Sequence, residues 1–147
     1  MPKIYLDVCC LNRPFDDQTQ ARIRLEAEAV LMILTRCETD DWEWIGSNMV
    51  DLEIDQTPDP ERRRRVQSLA LHIHRSVAVG QSETERAQQF ETWGMSAFDA
   101  LHLACAESGG ADVFLTTDDK LLRKSAVYAK QLHVRVENPL TWLREVS

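Results

Sequence analysis

Apolar residues along the chain follow two rhythms, short unbroken runs and longer stretches at helical spacing, and the two alternate. Residues 3–8 contain the first run, Ile4-Tyr5-Leu6, which closes on Asp7 and reads as a strand ending at that acid. Cys9 to Thr19, with Asn12, Arg13, Pro14 and the adjacent Asp16 and Asp17, carries turn chemistry and is expected to be a loop. From Gln20 to Thr39, Ile23, Ala27, Val30, Leu31 and Leu34 recur on one helical face, while Arg22, Arg24, Glu26 and Glu28 mostly take the others. Residues 42–47 then read as a second strand, and Asn48 to Asp55 as a short helix stopped by Thr57-Pro58-Asp59-Pro60.

A helix from Pro60 carries Val66, Leu69 and Ile73 as its apolar stripe, with a possible strand over Arg75 to Val79. Ser82 is placed to cap a helix running to Trp93, with Glu85 completing a Ser-x-x-Glu capping box. The most apolar helix spans Ser96 to Ser108 and ends at Gly109-Gly110, where glycine can take the left-handed conformation that closes a helix. Val113-Phe114-Leu115 reads as a buried strand, Thr117 or Asp118 as the cap of a helix to Lys130, Leu132 to Val136 as a last strand, and Pro139 as the start of a terminal helix. Strands alternating with helices predict one α/β domain over residues 1–147, with a mainly parallel central sheet flanked by helices.

Composition narrows the class. With 44% apolar and 28% charged residues, 5 Gly and 5 Pro, the chain is globular rather than disordered or low-complexity. No apolar run reaches the roughly 20 residues a membrane helix requires, and the start lacks a secretory signal, so no membrane association and a cytoplasmic location are expected. The 4 cysteines show no Cys-x-x-Cys spacing and read as reduced thiols. A net charge of −7 argues against binding nucleic acid by bulk electrostatics.

Ligands of open parallel sheets lie beyond the carboxyl ends of the strands, and four acids are placed to gather there. Asp7 follows the first strand, Glu53 lies on the helix after the second, Asp99 sits in the apolar helix and Asp118 follows Val113-Phe114-Leu115. Asp7, Glu53 and Asp118 each also fit an ordinary turn, solvated or capping role. Asp99 is the one carboxylate in Met95-Ser96-Ala97-Phe98-Asp99-Ala100-Leu101-His102-Leu103-Ala104-Cys105-Ala106, and burial without a partner would cost several kcal/mol. It therefore calls for a metal ion or a partner such as His102, one turn along.

In order and context, Ile4-Tyr5-Leu6-Asp7, the stretch to Leu52-Glu53, Phe98-Asp99-Ala100-Leu101-His102-Leu103-Ala104 and Leu115-Thr116-Thr117-Asp118 resemble the acid motifs of PIN-domain nucleases, especially the VapC-like toxins of toxin–antitoxin modules. The resemblance extends over almost the whole chain, to Val136-Glu137-Asn138-Pro139. It implies a PIN-like fold and a metal-dependent endoribonuclease using Mg²⁺ or Mn²⁺, the toxin of a type II pair, with a cognate antitoxin protein and a homodimeric state. It further implies Asp7 and Asp99 as central metal ligands, Asp118 as a further or water-mediated ligand, and Glu53 as ligand or water-orienting base; Asp119 is the spare. The family's hydroxyl two residues before the last acid corresponds to Thr116. Its Ser, Thr or Asn two residues after the first acid is here Cys9, a weak donor, with Asn12 as the nearby polar group that could compensate.

Arg13, Lys120 and Arg123 are the candidate phosphate or RNA contacts. Arg62 to Arg65 form the densest basic cluster, readable also as a solvated helix face paired with Glu61 and Asp59. His72 and His74 lack a complete zinc ligand set, and Trp42, Trp44, Trp93 and Trp142 are scattered as packing residues are. Setting aside four acids as one metal site leaves −3 of the −7, which makes RNA binding metal-dependent. A PIN-fold binding or scaffold protein with little catalysis is the alternative; a phosphohydrolase using Asp7 as nucleophile ranks last, since the Asp-x-Asp of such enzymes is missing.

Overall fold

The computed structural model describes all residues from Met1 to Ser147 and is organised around five parallel strands. These are β1 (Lys3–Leu6), β2 (Glu43–Ser47), β3 (Arg75–Val77), β4 (Val113–Leu115) and β5 (Arg135–Glu137), in the order β3-β2-β1-β4-β5. Tyr5 stands in register with Ile45 on one side and Phe114 on the other. Ile4, Tyr5, Leu6, Val113, Phe114 and Leu115 are all buried, as an unbroken apolar run must be when helices cover both faces of a parallel sheet.

The crossovers are α1 (Val8–Asn12), α2 (Ala21–Glu38), α3 (Asn48–Asp55), α4 (Pro60–Ala70), α5 (Gln81–Thr92), α6 (Ala97–Ser108) and α7 (Asp119–Val127), and α8 (Pro139–Val146) ends the chain. Helix α2 packs with α1 and α8, and α5 packs with α6, which lies against β2 and β4. The resulting core cluster joins Trp42, Trp44 and Trp142 to the sheet residues. Trp93 stacks on Tyr128 at 4.5 Å, so all four tryptophans serve packing. No helix is long and apolar enough to cross a membrane.

Several local expectations are corrected. The expected loop after Asp7 is instead α1 followed by a 3-10 turn over Arg13–Phe15; Pro14 begins this tight turn, where its missing N–H costs nothing. On α2 the buried stripe is Ala27, Val30, Ile33, Leu34 and Cys37, while Leu31 is 46% exposed; positions 30, 33, 34 and 37 form the continuous i, i+3, i+4 track and 31 falls off it. Helix α5 starts at Gln81, not after a Ser82 cap, because Glu83 reaches back to accept the Gly80 N–H at 2.8 Å. Helix α7 stops at Val127, short of Lys130, and the last strand begins at Arg135, not Leu132. At the end of α6 it is Gly110, with φ 76°, that takes the left-handed conformation.

Candidate metal centre

The strand order reverses beside β1: the chain steps outward from β1 to β2 to β3, then returns to lay β4 on the other side. The carboxyl ends of β1 and β4 flank this switch point, where open α/β sheets leave a crevice. Asp7 follows β1 directly, and Thr116, Thr117 and Asp118 follow β4. Crossover helices run antiparallel to the strands, which brings the first turn of α6, with Asp99, back to the same edge.

Asp7 is 6% exposed and has no basic side chain in salt-bridge contact. The Thr116 hydroxyl donates to its Oδ2 at 2.8 Å and accepts the Asp118 backbone N–H at 3.1 Å, tying the two strand ends together. Burial pushes the Asp7 pKa up, partly opposed by His102 and by the Thr116 hydrogen bond. Asp99 is pushed up to about 6, first by burial and then by the charges of Asp7 and Asp118. The first turn of a helix ordinarily favours a carboxylate, so burial and the neighbouring negative charges together outweigh the helix here. Carboxylates that resist ionisation because they are buried beside like charges gain from a bound cation, which offsets both effects.

Glu53, on α3, comes to this place from the second strand's side. Ligand-type atoms of Asp7, Glu53 and His102 lie within 4.8 Å of one another, a cluster able to hold a divalent ion. His102 does not face Asp99 as helical spacing suggested: its Nε2 meets Glu53 Oε1 at 3.1 Å and its Nδ1 the Tyr5 hydroxyl at 2.6 Å. Asp99 itself is half-buried and lines a cleft of about 200 Å³ with Ser96, Asp118, Lys120 and Lys124. Asp118 is exposed and caps α7, its Oδ1 accepting the N–H groups of Lys120 at 3.0 Å and Leu121 at 3.3 Å, while its Oδ2 makes no hydrogen bond within the protein. Both capping and site geometry thus fall on one residue.

Cys9 occupies the place of the expected polar residue and still takes part: its Sγ shares a bond with Thr116 Oγ1 and accepts the Thr117 N–H, both at 3.4 Å. Asn12 turns away from the acids, donating to the Val8 carbonyl and accepting from Arg62. Arg13, a candidate phosphate contact, is paired with Glu26 at 2.9 Å and Asp16 at 3.1 Å. Glu26, 2% exposed, also receives Arg22 and the Asn138 side chain, and Arg22 holds Asp119 bidentately, so this spare acid is tied to structure.

The arginine cluster is likewise structural in part. Arg62 grips Asp16 and the Phe15 carbonyl, Arg63 the Thr57 carbonyl and Arg65 Glu61; Asp59 pairs with none of them and caps α4 through the Glu61 N–H. His74 accepts the Trp44 N–H and meets Asp40, whereas His72 approaches Glu38, so the two histidines share no ligand site. Lys120 and Arg123 are exposed on the first turns of α7 and engage no carboxylate at salt-bridge distance.

The missed residue is His102. Its signal in the sequence was its place in a helix otherwise apolar around it, read toward Asp99 when the ring in fact points inward to Tyr5.

Comparison with known proteins agrees with this architecture. A chain of DNA-bound VapBC from Salmonella typhimurium superposes with a TM-score of 0.58 at 18% identity, over 95% of this chain and 99% of that one. A chain of VapBC2 from Rickettsia felis, bound to a DNA fragment from its promoter, gives 0.55 at 14% identity, over 92% and 98%. No curated protein sequence matches. The family model for the PIN domain matches residues 4–127, a span that holds all four acids and ends with α7. By that match and the shared fold, the chain belongs to the PIN-domain family.

Proposed function

We propose that this protein is a metal-dependent endoribonuclease, the toxin of a type II toxin–antitoxin pair. The observation that supports this most is the buried Asp7 with no basic side chain on it, beside an Asp99 whose pKa is pushed up to about 6 by burial and then by the charges of Asp7 and Asp118. The donor set is oxygen-rich, which suits Mg²⁺ or Mn²⁺. Asp7 and Asp99 would be the central ligands, the free oxygen of Asp118 a further one, and Glu53 a ligand or the base that orients the attacking water.

When bound, the ion supplies a more acidic water and neutralises the phosphate's negative charge. The chain's own residues do the rest. Thr116 keeps Asp7 oriented and its charge partly satisfied, so the carboxylate arrives in place. Glu53, held by His102, presents its carboxylate either to the ion or to the attacking water. Lys120 and Arg123 hold flanking phosphates, drawing RNA across the α7 side of the cleft. Single-stranded RNA is the substrate class that can reach such a recessed site.

The fold shared with VapBC chains supports a cognate antitoxin protein that covers the acidic cleft, a homodimeric enzyme and action in the cytoplasm. The test is RNA cleavage by purified protein with Mn²⁺, with chelator, and by Asp99→Asn. Cleavage that needs Mn²⁺ and falls by two orders of magnitude or more in Asp99→Asn is expected. Equal traces of cleavage from both proteins would favour the scaffold reading.

A further inference from the structure

A string of buried polar side chains crosses the otherwise apolar interior and surfaces at the candidate metal centre. Ser47 Oγ lies 2.7 Å from the Tyr5 hydroxyl, that hydroxyl 2.6 Å from His102 Nδ1, and His102 Nε2 3.1 Å from Glu53 Oε1. Ser47 is 1% exposed, and Tyr5 and His102 are 0% exposed. The four come from β2, β1, α6 and α3, elements already packed by apolar contacts. Polar groups in a core cost free energy unless each is satisfied, and apolar residues of similar volume would serve folding as well. The string has one end open to the site, the Glu53 carboxylate, with 29% of its side chain exposed.

The direction of the hydrogen bonds follows from chemistry. An ionised carboxylate only accepts, so His102 Nε2 carries the hydrogen. In the neutral ring Nδ1 is then a bare acceptor and takes the Tyr5 hydrogen, which leaves Ser47 to donate to the Tyr5 oxygen while its Oγ accepts the Met49 N–H at the start of α3. Every hydrogen is used, and both ring nitrogens are spent within the protein. Because Ser47 caps the helix that carries Glu53, the string holds α3 at its start and at its functional residue together.

We propose that His102 is a positioning residue that, braced by Tyr5 and Ser47, donates through Nε2–H to Glu53 and fixes this carboxylate toward a divalent ion shared with Asp7. This rests on the metal-centre reading above. His102 then serves the ion through Glu53 and is not itself a ligand. Loss of such an outer hydrogen-bond donor typically weakens metal affinity by about 10–100-fold.

The experiment measures Mn²⁺ affinity of the purified full chain by calorimetry for wild type, His102→Leu, His102→Gln, Tyr5→Phe and Asp7→Asn, with urea unfolding on each. His102→Leu should bind Mn²⁺ about 10–100-fold more weakly. His102→Gln, which presents an amide N–H near the place of Nε2, should recover most of the loss, and Tyr5→Phe should weaken binding although the ring remains. Imidazole ¹⁵N spectra with Mg²⁺ should show the Nε2 proton retained. Wild-type affinity in either His102→Leu or Tyr5→Phe overturns the proposal, as does a His102→Gln variant no better than His102→Leu, or loss of the Nε2 proton on Mg²⁺ addition. If His102→Leu does not fold, Tyr5→Phe and the spectra decide. Asp7→Asn separates the two levels: unchanged affinity there sinks the metal centre itself, whereas lost affinity there with unaffected His102 and Tyr5 variants sinks only the positioning role.

Discussion

Replacing Asp99 by Asn should make the metal-free protein more stable, although the residue is proposed to be essential for function. The carboxyl's pKa is pushed up from 3.8 to about 6 by burial and by Asp7 and Asp118. At about 1.4 kcal/mol per tenfold change in proton affinity, that rise corresponds to about 3 kcal/mol. Asp99 keeps some solvent contact that screens it, so about 1–2 kcal/mol is the working figure. A carboxyl raised above its unfolded value adds stability that is complete below pH 3.8 and is lost as pH rises through about 6. Above that pH the wild type carries a charge it would be more stable without, and Asn does not. Urea unfolding in chelator should therefore find Asp99→Asn more stable by about 1–2 kcal/mol at neutral pH, with the gap closing toward pH 4. Mn²⁺ should reverse the order. At a hundredfold excess over its dissociation constant the ion adds about 2.7 kcal/mol to the wild type, and the variant, missing a ligand, gains less. A variant less stable than wild type in chelator, or an equal Mn²⁺ gain in both, would refute the reasoning.

Three other outcomes are expected. Thr116→Val deletes the one hydroxyl donated to Asp7, so the pH at which Mn²⁺ binding is half lost should move upward; an unmoved midpoint in calorimetric titrations would show that Thr116 does not tune Asp7. Lys120→Ala with Arg123→Ala should weaken RNA binding and lower the slope of log affinity against log salt by about 1.4, with thermal unfolding unchanged; an unaltered slope places the RNA elsewhere. Glu26→Ala strands Arg13 beside Asp16 and frees Arg22 and Asn138, so it should cost about 3 kcal/mol or more by urea unfolding while RNA affinity of the folded fraction stays unchanged.

The order of strands and helices was legible because unbroken apolar runs such as Ile4-Tyr5-Leu6 and Val113-Phe114-Leu115 belong to strands buried on both faces, and the long stripe on α2 belongs to a helix. Helix α1 was hidden because Asn12-Arg13-Pro14 advertises a turn, and the turn it makes simply follows a short helix. Leu31 illustrates a stripe whose centre is set by tertiary contacts, with 33 and 37 recruited in place of 31. The placement of the four acids near one edge could be read from order and context, since Asp7 and Asp118 directly follow β1 and β4, Glu53 lies on the short helix after β2, and Asp99 is on the first turn of α6. What spacing along the chain could not carry was which partner each polar group would choose. Asn12 ends α1 and Arg13 opens the 3-10 turn, both close after Asp7, but nearby carboxylates and Arg62 claim them first. His102 is three residues from Asp99, but its ring is held by Tyr5, 97 residues away in the chain, and that contact exists only in the folded core.

The measurement that bears most directly on the central claim is RNA cleavage followed across a Mn²⁺ titration, with ion occupancy read in parallel, for wild type, Asp7→Asn and Asp99→Asn from identical preparations. Cleavage by the wild type should rise in step with occupancy, and both should be lost together in the two variants. Cleavage by the wild type that persists in chelator, or that survives in Asp7→Asn and Asp99→Asn, would contradict a metal-dependent nuclease built on these acids.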